Sequence, residues 1–228
     1  MKNSLSQLQS VRKRIENACI AANRPADQVS LLAVSKRHPA EKVNVLNALG
    51  VSDFGENQLR EALLKQKDLQ HLDLQWHFIG TIQSNKTRDI AANFQWVQSV
   101  DRTKILQRLA LQRPASLPPL NICLQVNIDM EPQKAGATPE QIMQLAAMAD
   151  GLENIKLRGL MAIPKLSTDP QQQHASFRKV RHLFDDLRKA GHDIDTLSMG
   201  MSADLEIAIA EGSTMVRIGT DLMGQRSA

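Results

Sequence analysis

Hydrophobic positions along this chain change their period in a regular rhythm. Leu5, Leu8, Val11, Ile15, Cys19 and Ala22 recur at three- and four-residue spacing, which predicts an opening helix. Ser4 with Gln7 fits a capping box at its start, and Asn23-Arg24-Pro25 ends it. Short apolar runs then alternate with amphipathic stretches. Strands are predicted over 29–35, 51–55, 74–81, 95–100, 121–128, 155–163, 196–199 and 215–218. Helices are predicted over 39–49, 58–69, 85–93, 102–112, from 138 onward, and over 175–189 and 203–210. Thr138 caps its helix, with Pro139 at the first position and Gln141 completing a second capping box. Gly50, Gly191 and Gly212 close three of the others.

Eight strands with helices between them suit a parallel sheet with crossover connections. Eight such units suit a closed (β/α)8 TIM barrel, at the short end of its usual length, and the rival is a doubly wound open sheet. No Gly/Ser or Pro-rich linker breaks the series. The expectation is one barrel domain over residues 1–228, with an extra N-terminal helix (residues 1–24) packed on it.

Composition narrows the setting without naming a task. The 228 residues are 42% hydrophobic and 23% charged, an ordinary globular balance. A net charge of +4 is too small to point to nucleic acid or a membrane, and Arg12-Lys13-Arg14 is expected on the solvated face of the first helix. No apolar run approaches a membrane span, and Met1-Lys2-Asn3-Ser4 opens no apolar signal core. Cys19 and Cys123 fall in different predicted elements and read as reduced thiols of a cytoplasmic protein. His71, His174, His182 and His192 show no ligand spacing, so no metal is expected. The chain has no tyrosine.

In a barrel, polar groups at the C-terminal strand ends form the site. Three sets stand out here. Leu32, Val34 and Lys36 share one strand face, so Lys36 stands at the mouth if that face is internal. A lysine desolvated there is a nucleophile toward carbonyls, although the plainer reading of this residue alone is a lysine snorkelling out of a strand end. Ser202 before the helix from 203, and Gly219-Thr220 after the last strand, offer backbone amides and hydroxyls for a phosphate, or else a simple cap and a turn. Asp204 and Glu206 in that first turn would repel a dianion unless they point away. Arg217 shares a face with Met215 and Gly219, and an interior arginine needs a partner. An amine, a phosphate cradle and a fixed cation at one mouth are what pyridoxal 5′-phosphate (PLP) requires.

Several stretches carry a resemblance across nearly the whole chain: Ala33-Val34-Ser35-Lys36, Phe54-Gly55-Glu56-Asn57, Trp76-His77-Phe78-Ile79-Gly80 with Gln83, Asn85 and Lys86, Arg158-Gly159-Leu160-Met161, Leu197 to Asp204, and Val216 to Thr220. The sequence resembles the pyridoxal phosphate homeostasis proteins (the YggS family). The resemblance implies a fold-type III PLP barrel, similar to the N-terminal domain of alanine racemase. It implies PLP held as a Schiff base on Lys36, phosphate at Ser202, Gly219 and Thr220, Arg217 facing the pyridine nitrogen, and Asn57, Ser198 and Met199 completing the cofactor-binding set. It implies a regulator or carrier in vitamin B6 and amino-acid homeostasis, with PLP-dependent apo-enzymes as conceivable recipients. His38 stands where some members have a second lysine. Lys134 is the remaining candidate for a secondary role, against the plainer reading of an exposed loop lysine.

Arginine has no acceptor and keeps its proton, so opposite the ring nitrogen it weakens the cofactor as an electron sink. Two-base racemases similar to this barrel draw a tyrosine from a second domain, and neither is found in this sequence. The expectation is therefore a non-enzymatic, monomeric PLP-binding protein. The alternatives are a PLP-dependent amino-acid racemase or lyase, and a Schiff-base aldolase using the phosphate cradle for a sugar phosphate. His77 is the best other base and is expected in a structural or supporting role. Cys123 is expected in the core.

Overall fold

The alternation of short apolar runs and amphipathic stretches resolves into eight parallel strands closed on themselves. The computed structural model describes residues 2–165 and 167–224. Met1, where the expected N-terminal helix and domain begin, lies outside them, as does 225–228. The strands are β1 (Ser30–Val34), β2 (Asp53–Glu56), β3 (Gln75–Phe78), β4 (Trp96–Val100), β5 (Leu120–Val126), β6 (Ile155–Ala162), β7 (Thr196–Ser198) and β8 (Met215–Ile218). The helices are α1 (Lys2–Ala21), α2 (Ala40–Ala48), α3 (Leu59–Asp68), α4 (Thr87–Asn93), α5 (Thr103–Gln112), α6 (Pro139–Asp150), α7 (Pro170–Lys189), α8 (Leu205–Ala210) and α9 (Thr220–Met223). Strand order follows chain order around the barrel, and β8 closes on β1 with Leu32 opposite Arg217. That closure excludes the open-sheet rival.

Two apolar layers hold the fold. The larger lies between strands and helices. Phe177, Val180, Phe184 and Leu187 form one face of α7 and are all buried there. Burying side chains of this size contributes about 1.5–3 kcal/mol each. The smaller layer is inside the barrel, where Trp96, Cys123 and Met161 cluster apart from the main core. Burial pushes the Cys123 thiol up to about 12, so it packs as an inert apolar group.

Element ends differ from the sequence expectation for local reasons. α1 begins at Lys2, so Ser4 and Gln7 sit inside its first turns and are no capping box. α7 starts ahead of residue 175, because Asp169 accepts the Gln171 N–H and Pro170 fills the first position. α8 begins at Leu205 instead of 203, with Asp204 at its N-cap, and the short α9 was not anticipated. The Thr138 capping box is present in full.

Candidate functional site at the C-terminal mouth of the barrel

A cavity of 580 Å³ opens at the C-terminal ends of the strands. Lys36, Asn57, Ser202, Arg217, Gly219 and Thr220 all line it. Ser198 and Met199, expected beside them, do not: both are fully buried, Ser198 bonded to Arg217 inside the barrel and Met199 in the main core. Val34 lines the cavity with Lys36, and a Cβ on Gly55 would lie 3.4 Å from Leu32. The strand face carrying Leu32, Val34 and Lys36 is thus the internal one. Among the described residues, Lys36, Lys134 and Arg217 are the charged lining residues, and no carboxylate lines the cavity.

Lys36 lies two residues past the end of β1, in the turn after it, and is half-buried. Its chain position is pinned from both sides. Arg37 has φ of 60°, a left-handed conformation unusual for a non-glycine residue, and its N–H donates to Glu61 Oε1 at 2.6 Å. On the other side, Lys65 Nζ donates to Ser35 O at 2.7 Å. Lys65 also bridges Glu56 at 2.6 Å and Glu61 at 2.7 Å, while Ser35 Oγ donates to Glu56 Oε1 at 2.6 Å. Burial raises the Glu56 pKa, against the pull of Lys65. Glu56 therefore belongs to a buried clamp under the Lys36 turn and does not reach the cavity.

Asn57 enters the cavity from the end of β2. Its Oδ1 is buried and has no hydrogen-bond partner among the described residues. Gly80, after β3, is obligatory at this point: a Cβ there would sit 2.3 Å from Asn57 O.

Arg217 lies on β8 and is 4% exposed. Its Nη1 donates to Ser198 O at 2.7 Å and Ser198 Oγ at 2.9 Å, and its Nη2 to Ala162 O at 2.8 Å. Burial lowers its pKa to about 10, so it stays protonated at neutral pH. The partner an interior arginine needs is not a carboxylate among the described residues. Neutral oxygens hold it, leaving Nε–H and one Nη2–H for the cavity side.

The two expected phosphate loops converge at the same rim. The N–H groups of Ser202, Ala203 and Thr220 have no acceptor among the described residues. Ser202 does not cap α8 as anticipated. Asp204 holds that turn, accepting the Met201 N–H at 2.6 Å, so the Ser202 hydroxyl is left to the cavity. The nearby acids are drawn outward by Arg14 of α1. Arg14 Nε and Nη2 grip Glu206 at 2.7 and 2.9 Å, Nη1 reaches Asp221 at 2.5 Å, and Nη2 also donates to Ser202 O at 2.8 Å. Its hydrogen bond holds the Glu206 pKa below the usual carboxylate range. The expectation that Arg12-Lys13-Arg14 lies on the solvated face holds for Arg12 and Lys13, which are exposed, and is incomplete for Arg14, which is half-buried and reaches Ser202, Glu206 and Asp221. A helical-face pattern does not show what a long side chain reaches across to another element.

Lys134 is also placed differently from the plainer expectation. It lines the cavity, pairs with Glu131 at 2.5 Å and donates to Pro164 O at 3.0 Å. Met161 and Met201 line the cavity as well. Met161 falls within a quoted motif, but nothing in its type marked it as a wall. Gln83 and Lys86 lie outside this cavity and border an adjoining groove. At the opposite face, a 520 Å³ groove between α1 and the starts of β1 and β2 is lined by Glu16, Asp27 and Asp53 with Arg12, and by no lysine among the described residues.

Comparison with known proteins agrees with this geometry. The family model for the alanine racemase N-terminal domain matches residues 7–227. A Pseudomonas aeruginosa protein named pyridoxal phosphate homeostasis protein is 55% identical over 226 residues, covering 99% of this chain and 97% of the relative. The chain belongs to the pyridoxal phosphate homeostasis protein family. The Escherichia coli K12 member is 43% identical, over 99% of this chain and 98% of its own. Among solved structures, PipY of Synechococcus elongatus with PLP bound superposes with a TM-score of 0.85 at 35% identity, over 97% of this chain and all of that one. An alanine racemase from Clostridium difficile shares the barrel fold, with a TM-score of 0.81 at 16% identity. This chain covers 58% of that longer one.

Proposed function

We propose that this homeostasis-family barrel binds PLP in its C-terminal mouth, covalently through Lys36, and acts as an intracellular reservoir in vitamin B6 and amino-acid balance. The observation that carries the reading is the cavity wall: a strand-end lysine amine, two further cations and no carboxylate. Such a wall suits an anionic aldehyde. The Lys36 amine adds to the aldehyde carbon, water leaves, and a carbon–nitrogen double bond forms that water can reverse. The Ser202, Ala203 and Thr220 amides, with two hydroxyls, supply donors for the phosphate. Arg217 supplies a donor toward the ring nitrogen. Asn57 Oδ1 is a buried acceptor in need of a donor, and the cofactor's ring hydroxyl is one.

A non-catalytic role follows from what is missing beside Lys36 among the described residues. Racemisation needs a second base across the cofactor. His77 has both ring nitrogens engaged inside the barrel, and the Lys134 ammonium is held by Glu131 and Pro164 O. Reversible loading suits a store that limits free aldehyde and hands PLP to apo-enzymes. Absorption spectra of parent and Lys36→Ala proteins, with PLP before and after borohydride, test the binding. A visible band in the parent alone, bleached by borohydride as the carbon–nitrogen double bond is reduced, supports it, and no band in either removes it. Steady turnover of an amino acid at enzyme-like rates would replace the reservoir by a racemase or lyase.

A further inference from the structure

A file of hydrogen bonds crosses the barrel interior beneath the cavity, with one branch where Gln98 Nε2 also donates to Met215 Sδ at 3.1 Å. Arg217 Nη1 donates to Ser198 Oγ at 2.9 Å, and Ser198 Oγ donates to Gln98 Oε1 at 2.7 Å. Gln98 Nε2 meets His77 Nδ1 at 2.9 Å, and His77 Nε2 meets Asp53 Oδ1 at 3.1 Å. The residues come from β8, β7, β4, β3 and β2, so the file runs through the lumen. Ser198, Gln98 and His77 are fully buried. Asp53, at the start of β2, opens to the groove at the opposite face.

The direction of every bond is fixed by the arginine. Arginine has only donors, so Ser198 Oγ accepts and spends its own proton on Gln98 Oε1. That turns the Gln98 amide so that Nε2–H points at His77 Nδ1, which must accept. His77 then carries its proton on Nε2 and donates it to the Asp53 carboxylate. The imidazole plane is held too, stacked on Trp96 at 5.1 Å and 10°, with the Arg158 guanidinium 4.7 Å over the Trp96 ring. Nothing in the phosphate loops or the Lys36 turn needs this file. Its cavity end touches only the guanidinium.

We propose that Ser198, Gln98 and His77 are positioning residues that lock Arg217 against the cofactor ring, with the lock anchored on Asp53 at the far mouth. The proposal rests on the PLP reading above. Histidine ¹⁵N spectra of the apo-protein test the file without cofactor: His77 should be the Nε2–H tautomer, and Ser198→Ala should shift its Nδ1 resonance. PLP labelled with ¹⁵N in the ring tests the lock itself. Gln98→Leu should move the ring ¹⁵N signal and weaken PLP binding roughly tenfold, the scale of one hydrogen bond to a charged group. Asp53→Asn, half-exposed and remote from the cavity, should move the signal the same way while the apo-protein melts near the parent. An Nδ1–H tautomer, or a ring signal and affinity unchanged in both variants, overturns the proposal. A parent protein that takes up no PLP overturns the cofactor reading as well, so the two failures are distinguishable.

Discussion

Replacing Arg14 by alanine should weaken PLP binding from outside the cavity. The side chain is 32% exposed and joins Glu206, Asp221 and the Ser202 carbonyl. Ion pairs at such exposure contribute about 0.2–1 kcal/mol each, and the carbonyl bond about 0.5–1.5. The apo-protein should therefore lose about 1–3 kcal/mol, a fall of roughly 2–12 °C in Tm for a chain this long. The effect on PLP adds a second cost. Without Arg14, the Glu206 and Asp221 charges face a phosphate dianion without neutralisation, and the loops bearing Ser202 and Thr220 lose their common anchor. Weakening of about tenfold, or ~1.4 kcal/mol, is expected in a fluorescence or absorbance titration. The triple variant Arg14→Ala, Glu206→Gln, Asp221→Asn separates charge from anchoring, and should recover most of the affinity if charge dominates. A parent-like affinity for Arg14→Ala, within about twofold, refutes the reasoning.

Three further outcomes follow from buried features. Gly80→Ala puts a Cβ 2.3 Å from Asn57 O, so it should cost about 1–3 kcal/mol in urea unfolding and weaken PLP binding through Asn57. Unchanged binding would detach Asn57 from the site. Lys65→Met leaves Glu56 buried beside Glu61 without a cation, and should cost about 3–5 kcal/mol at neutral pH, with partial recovery in mild acid as Glu56 takes a proton. Equal losses at both pH values would contradict the clamp. Burial lowers the His77 pKa despite the Asp53 hydrogen bond. Its contribution to stability is then complete above the unfolded value near ~6.5 and falls as pH drops from there toward the folded value, by up to about 1.4 kcal/mol per unit. Urea unfolding between neutral and mildly acid pH should show that loss, and His77→Gln should flatten it.

The barrel was legible because each strand is a short apolar run with its own helix, and a period-two strand fixes which side chains share a face. That parity put Lys36 with Leu32 and Val34, and Arg217 with Met215 and Gly219, and the cavity lining shows both faces to be the internal ones. Boundaries were less legible where a cap decided them: Asp169-Pro170 starts α7 ahead of its apolar face, and Asp204 displaced Ser202 as the cap of α8. Contacts between distant elements were not legible at all. Arg14 lies 188 positions from Ser202, and Gln98 lies 100 from Ser198. Neither residue has a local pattern that names its partner, and Lys134 reads as a loop lysine until the β5–α6 connection folds over the mouth. Ser198 and Met199 show the converse. Their motif placed them in the cavity lining, while the structure turns Ser198 to Arg217 beneath the cavity and Met199 into the main core.

The central claim is a covalent bond between PLP and one amine. Borohydride reduction of the loaded protein, followed by proteolysis and mass spectrometry, reads that bond directly. The account expects the pyridoxyl-phosphate mass on the peptide containing Lys36, and its loss in Lys36→Ala. A label on Lys134 or another lysine with Lys36 unmodified, or no label at saturating PLP, would contradict it.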